Sequence, residues 1–166
     1  KANGEVELFD RWAATDKRFT AAEQVSRTFA EADWLRLDQD RRDAYTGGDN
    51  FAATVNADGS VTVAGVPMGW NAPADYAGNL RQFDLIKQLH PEINLGFALG
   101  GWTLSDEFSL AVDSEADRDA FTDNIVDVFK QYDFFNTVDF DWEYPGGGGD
   151  SGNATSVEDG VNFALT

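Results

Sequence analysis

The spacing of apolar residues changes character near residue 73. Beyond it, Leu80, Phe83, Ile86 and Leu89 recur at helical intervals, and Pro91 ends the segment. Ile93 to Leu99 is then a nearly unbroken apolar run, the pattern of a strand buried on both faces, and it closes in Gly100-Gly101-Trp102. Ser114-Glu115-Ala116-Asp117 has the form of a helix start, with Phe121, Ile125, Val128 or Phe129, and Tyr132 on its inner face. A strand over about residues 137–143 follows. Strand, helix, strand in this rhythm is a βαβ unit, which demands parallel pairing. The pattern predicts an α/β fold.

The first part of the chain is less regular. Val6 to Phe9 reads as a short strand ending at Asp10. Residues 20–44 read as helical, with Val25, Phe29, Ala32 and Leu35 on one face and a solvated charged run from Arg36 to Arg42. Residues 46–50 form a loop, and Phe51 to Val66 carries β-rich segments around a hairpin at Asn56-Ala57-Asp58-Gly59-Ser60. Residues 20–66 together read as an excursion from the main scaffold. His90, the single histidine, falls at a helix end and reads as a capping or surface residue. Ser156-Val157-Glu158-Asp159 looks like another helix start, and the chain stops soon after it.

The candidate chemistry lies in Val138-Asp139-Phe140-Asp141-Trp142-Glu143-Tyr144-Pro145, followed by Gly146 to Gly149. Side chains alternate faces along a strand, so Asp139, Asp141 and Glu143 share one face, and Phe140 and Trp142 share the other. Pro145 and the glycines end the strand just past Glu143. That places Glu143 at the carboxyl end, where parallel α/β folds keep their sites. Alternate positions lie roughly 7 Å apart, so three like charges resist simultaneous ionisation and at least one pKa is expected to rise. A proton held beside an ionised neighbour suits glycoside hydrolysis. A Mg²⁺ or Ca²⁺ site on the same three acids is the rival reading. A solvated acidic edge is the bland one.

Composition narrows the partners. The 166 residues carry 30 Asp and Glu against 12 Lys and Arg, a formal charge of −18 that opposes binding to nucleic acid or an anionic membrane. The acidity suits a secreted or salt-exposed protein kept soluble by charge. There is no cysteine, so the fold needs no disulfide. No apolar run approaches the ~20 residues of a membrane span. Dinucleotide and phosphate-loop glycine motifs are missing, and no cofactor is expected. Asn153-Ala154-Thr155 matches a glycosylation acceptor, a pattern common by chance.

These residues resemble the family 18 glycoside hydrolases, the chitinase family. Its Asp-x-x-Asp-x-Asp-x-Glu motif on the fourth barrel strand is matched by Asn136-Thr137-Val138-Asp139-Phe140-Asp141-Trp142-Glu143. Its Ser-x-Gly-Gly-Trp motif on the third strand is matched by Ala98-Leu99-Gly100-Gly101-Trp102, with Thr103-Leu104-Ser105-Asp106 continuing in the bacterial manner. Trp70-Asn71-Ala72-Pro73 through Gly78-Asn79-Leu80 also resembles those enzymes, and Phe9-Asp10 resembles the end of their second strand. Asn136, Thr137 and Ala98 depart from the family's Asp, Gly and Ser.

The resemblance implies a (β/α)₈ TIM barrel acting on chitin or chito-oligosaccharides, without metal or cofactor. Glu143 would be the general acid, Asp141 would position the 2-acetamido group that attacks the anomeric carbon, and Asp139 would stand behind Asp141. Trp102, Thr103 and Trp70 would contact sugar. Tyr144 is counted with them, though packing is the weightier role for Tyr144 and Trp142. Since such a barrel takes about 250 residues, this chain is expected to supply about strands two to four plus the excursion, with the remaining barrel segment as partner. A chitin-binding lectin or toxin subunit that keeps the fold without turnover is the alternative.

Overall fold

Pairing across the chain decides the architecture of the first half. In the computed structural model, which describes residues 1–68 and 76–166, the segment expected to be one helix over 20–44 contains a strand and two helices. They are β1 (Ser26–Phe29), α1 (Glu31–Arg36) and α2 (Gln39–Gly47). β2 (Phe51–Val55) and β3 (Val61–Gly65) form the expected hairpin, and β1 pairs antiparallel with β3, giving the order β1-β3-β2. Phe29 lies opposite Val61, and the Thr28 and Thr62 hydroxyls meet at 3.0 Å. A free strand edge on β3 outweighs the helical spacing of Val25 and Phe29, as cross-strand packing commonly does. The helix resumes at α2, where the Asp38 carboxylate accepts the Arg41 N–H at 2.7 Å.

Residues 10–93 make one compact unit. Its core joins Phe29, Tyr45, Phe51, Val61 and Val63 of the sheet region to Leu85 and Leu89 of α3 (Gly78–Leu89). Trp34 and Leu37 pack at its margin, whereas Ala32 and Leu35, expected inward, are exposed. The hairpin turn closes through the Asn56 N–H donating to the Ser60 carbonyl, with Gly59 at φ +84°.

α3 ends before Pro91, as its spacing predicts, with the His90 N–H capping the Ile86 carbonyl at 2.8 Å. Its buried stripe runs through Leu80, Gln82, Leu85 and Leu89, not through Phe83 and Ile86. Gln82 turns inward because its amide is spoken for: it donates to the Gln24 side chain and accepts from the Val25 N–H.

Residues 1–9 and 94–166 form the other unit. Here β4 (Gly96–Gly100), α4 (Phe108–Ala111), α5 (Glu115–Gln131), β5 (Thr137–Asp141) and α6 (Asp159–Ala164) follow in order. β4 and β5 pair in parallel, from Gly96 opposite Thr137 to Gly100 opposite Asp141. The predicted βαβ unit is therefore present. α5 begins with a capping box in which the Ser114 side chain accepts the Asp117 N–H and Asp117 reciprocates, a device worth about 1 kcal/mol. Phe121, Ile125, Phe108, Ala111, Val112 and Trp142 form the core, with Phe97, Leu99, Val138 and Phe140 packed against it.

Three expectations change in this unit. Within residues 1–166 β4 packs Phe97 and Leu99 inward, while Gly96 and Ala98 on the opposite face are exposed. Val6–Phe9 is not a strand among the described residues; Val6 packs on the core instead. The last helix is regular only from Asp159, although the Asp159 carboxylate accepts the Ser156 N–H at 2.9 Å as the expected capping box requires.

Candidate active site

The alternation along β5 sets the site. Val138 and Phe140 are half-buried on the core face, and Trp142 is buried there, stacked on Phe108 at 5.2 Å and edge-on to Phe163 at 5.7 Å. Asp139 and Asp141 are exposed on the opposite face, and Glu143, half-buried, follows two residues beyond the last ladder pair. The aromatic residues thus anchor the strand while the acids stay free to act. Among the described residues, no group of three or more His, Asp and Glu side chains has the arrangement to hold a metal ion.

The end of β4 is shaped to lie close against the end of β5. The Gly101 N–H donates to the Asp141 carbonyl at 2.7 Å. Gly100 sits at φ +98°, and a Cβ there would strike that same carbonyl and the Phe108 ring. Gly101, at φ +95°, brings its backbone beside Asp141, where an added Cβ would lie 3.7 Å from Oδ2. Only glycine combines this backbone with this approach. Gly100→Ala is expected to destabilise the unit by about 2–3 kcal/mol, the sum of a strained φ and a backbone contact, read as a lowered urea midpoint.

Directly after these glycines, Trp102 is 53% exposed and Thr103 is exposed, so Trp102 is not a core tryptophan. Trp142 takes the packing role expected of it, whereas Tyr144 is half exposed. The Glu143–Tyr144 peptide is cis. The Tyr144 phenol is raised above its ordinary pKa of 10.0, first by its hydrogen bond to the Glu143 carboxylate, then by the Glu143 charge, by burial and by the Asp141 charge. Trp70 lies outside the described residues.

That shift has a checkable sign. A raised phenol pKa means the contact contributes at pH below about 10 and is lost as the phenol ionises at higher pH. Burial raises the Tyr45 phenol as well. Ultraviolet titration is expected to show Tyr45 and Tyr144 ionising above the ordinary phenol range, and Tyr144→Phe to remove one of these late phases.

The three departures from the family motif sit away from Glu143. Asn136 bridges the starts of β4 and β5: its Oδ1 accepts the Leu95 N–H at 3.0 Å and its Nδ2 donates to Asn94 at 2.8 Å. An aspartate cannot make the second bond. The Thr137 hydroxyl donates to the Leu95 carbonyl at 3.2 Å, and Ala98 is on the open face of β4.

Sequence reading assigned no part in the site to Ser105, Asn153 or Asp159. Ser105, fully buried, accepts the Glu143 N–H at 3.0 Å, and its hydroxyl lies 2.9 Å from the Gly101 carbonyl and 3.2 Å from that of Asp141. Asn153 donates to the Glu143 carbonyl at 2.7 Å. The amide nitrogen of the Asn153-Ala154-Thr155 pattern is therefore engaged internally, not presented for glycosylation. Asp159, fully buried, gathers the glycine-rich loop: its carboxylate accepts from the Ser109 hydroxyl and from the Gly146 and Ser156 N–H groups. The Ser105–Glu143 and Ser109–Asp159 pairs join residues 38 and 50 positions apart, so no local pattern announced them.

A parallel strand–helix–strand unit with carboxylates on one strand face and a glutamate just past its carboxyl end defines an α/β protein with an acidic strand edge. The sequence model of "Glycosyl hydrolases family 18" matches residues 23–165, and the chain belongs to that family. The match runs through much of the 20–66 segment. Chitinase 2 of Yersinia entomophaga is 43% identical over 98 residues, covering 57% of this chain and 15% of that protein. Chitinase A1 of Niallia circulans is 28% identical over 183 aligned positions, covering 96% of this chain and 26% of its own length. The catalytic domain of a psychrophilic chitinase B from Arthrobacter superposes with a TM-score of 0.54 at 29% identity, over 60% of this chain and 26% of that one. The chain thus spans about a quarter or less of these relatives. Family and structural likeness imply a TIM-barrel-like catalytic domain. No helix among the described residues is long and apolar enough to cross a membrane.

Proposed function

We propose that the chain is part of a chitinase, hydrolysing β-1,4-linked N-acetylglucosamine chains with retention of anomeric configuration. The observation that carries this is the placement of Glu143. It leaves the carboxyl end of β5, with Asp139 and Asp141 on the same face and the exposed Trp102 at the end of the neighbouring strand. In this reading Glu143 protonates the leaving glycosidic oxygen. The substrate's own 2-acetamido oxygen attacks the anomeric carbon, positioned by Asp141 with Asp139 behind it. Water then opens the resulting oxazolinium ring, with Glu143 accepting its proton. The family is an exception to the two-carboxylate scheme for this reason.

Trp102 offers an aromatic face to a sugar's apolar C–H face, with Thr103 and Tyr144 beside the same edge and Trp70 a more distant contact. The barrel is completed to (β/α)₈ by chain of the same enzyme, β4 and β5 standing as its third and fourth strands and residues 20–66 as an excursion. A polymeric substrate outside the cell makes secretion part of the proposal.

The test is hydrolysis of a soluble chito-oligosaccharide by the full-length protein, with and without chelator, following the anomer first released. β-Anomer products at a chelator-independent rate are expected. Loss of activity with chelator would favour metal-assisted hydrolysis by the same acids. Tight binding without product would place the chain among sugar binders that do not hydrolyse.

A further inference from the structure

Glu143 lies past the point where β-sheet hydrogen bonding can hold it. The last ladder pair is Gly100 with Asp141, so among the described residues the main chain at Glu143 pairs with no strand. Yet both of its peptide groups are satisfied, and both by side chains. Ser105 Oγ accepts the N–H at 3.0 Å, and Asn153 Nδ2 donates to the carbonyl at 2.7 Å. We propose that Ser105 and Asn153 are positioning residues for Glu143, clamping its backbone from two sides so that its carboxyl group points reproducibly at the scissile bond. The inference rests on the reading of Glu143 as general acid.

The surroundings of each residue suit that task more than general stability requires. Ser105 is fully buried, and its single hydroxyl proton is directed at the carbonyls of Gly101 and Asp141. That leaves its lone pairs for the Glu143 N–H. One side chain thereby ties the end of β4, the end of β5 and the glutamate together.

Asn153 has a fixed orientation. Turning its amide over would set Oδ1 against the Glu143 carbonyl, which Nδ2 now holds at 2.7 Å. The loop bearing it is pinned as well. The Ala154 N–H donates to the Asp106 carbonyl at 3.0 Å, and Gly149 packs so closely that a Cβ would strike the Glu143 carbonyl and reach Asn153 Nδ2 at 2.7 Å.

A general acid helps only when its proton reaches the departing oxygen, and small displacements are expensive in rate. The clamp should therefore matter in proportion to how much the leaving group needs protonation. A natural chito-oligosaccharide leaves as a poor alkoxide and needs it greatly. An aryl chito-oligoside with an acidic phenol needs it little. A residue that merely supports the fold would affect both substrates alike.

The experiment compares Ser105→Ala, Asn153→Ala and Asn153→Asp with wild type and Glu143→Gln in the full-length protein, measuring kcat/KM on both substrates. Each clamp variant is expected to lose about 10- to 100-fold on the oligosaccharide, the scale of a small misplacement, and several-fold less on the aryl substrate. Equal losses on the two substrates, or an unchanged oligosaccharide rate, would overturn the clamp. If Ser105→Ala fails to fold, the two variants at the half-buried Asn153 carry the test. The parent reading fails separately, through a wild type that does not cut or a Glu143→Gln variant that cuts like wild type.

Discussion

Glu143→Gln is expected to lower kcat on a chito-oligosaccharide by about 10²- to 10⁴-fold, the range that a positioned general acid supplies. The substitution preserves size and can still accept the Tyr144 hydroxyl, but it has no proton to deliver. Because Asp141, Trp102 and Thr103 are untouched, KM is expected to stay within about three-fold, the pattern of an interaction made in the transition state alone. An activated aryl substrate should be far less affected in the bond-breaking step. Steady-state kinetics on both substrates check this, with oligosaccharide binding measured by calorimetry. A variant retaining more than about a tenth of wild-type kcat would remove Glu143 from the acid's role.

Trp142→Ala is expected to be the most damaging change to stability, costing about 3–5 kcal/mol. The indole is buried between Phe108, stacked at 5.2 Å, and Phe163, edge-on at 5.7 Å. It fills the space under the strand end at the position immediately before Glu143. Truncation removes these contacts and leaves a cavity that the surrounding β4–β5 pair and α4 cannot fully close. With a urea slope of about 2 kcal/mol/M, the midpoint should fall by roughly 2 M, followed by circular dichroism since the reporting indole itself is lost. Trp142→Phe, which keeps a ring, should cost less than half as much. A Trp142→Ala midpoint close to wild type would mean the stack contributes little.

Legibility in the sequence followed the distance over which each feature is determined. α5 and its capping box are local, and the spacing from Ser114 to Tyr132 located them. The end of α3 at Pro91 was equally local. Its buried stripe was misjudged because Gln82 faces inward on hydrogen bonds to Gln24 and Val25, residues more than fifty positions away. Ser26–Phe29 was read as helix because its partner strand lies over thirty residues downstream.

The sequence by itself determined which face of β5 carries acid and which carries aromatic rings. Alternation is a property of the extended backbone, so Asp139 and Asp141 had to part from Phe140 and Trp142 whatever the rest of the chain did. The strand was expected to run to about residue 143, just short of Pro145 and the glycine run, but it ends at Asp141, where its pairing with β4 stops. Only the tertiary structure decided what holds Glu143 once the ladder has ended. Ser105 and Asn153 reach its two peptide groups from 38 and 10 residues away. Hydrogen bonds of that kind form where the folded loops bring donor and acceptor together, and no spacing along the chain encodes them.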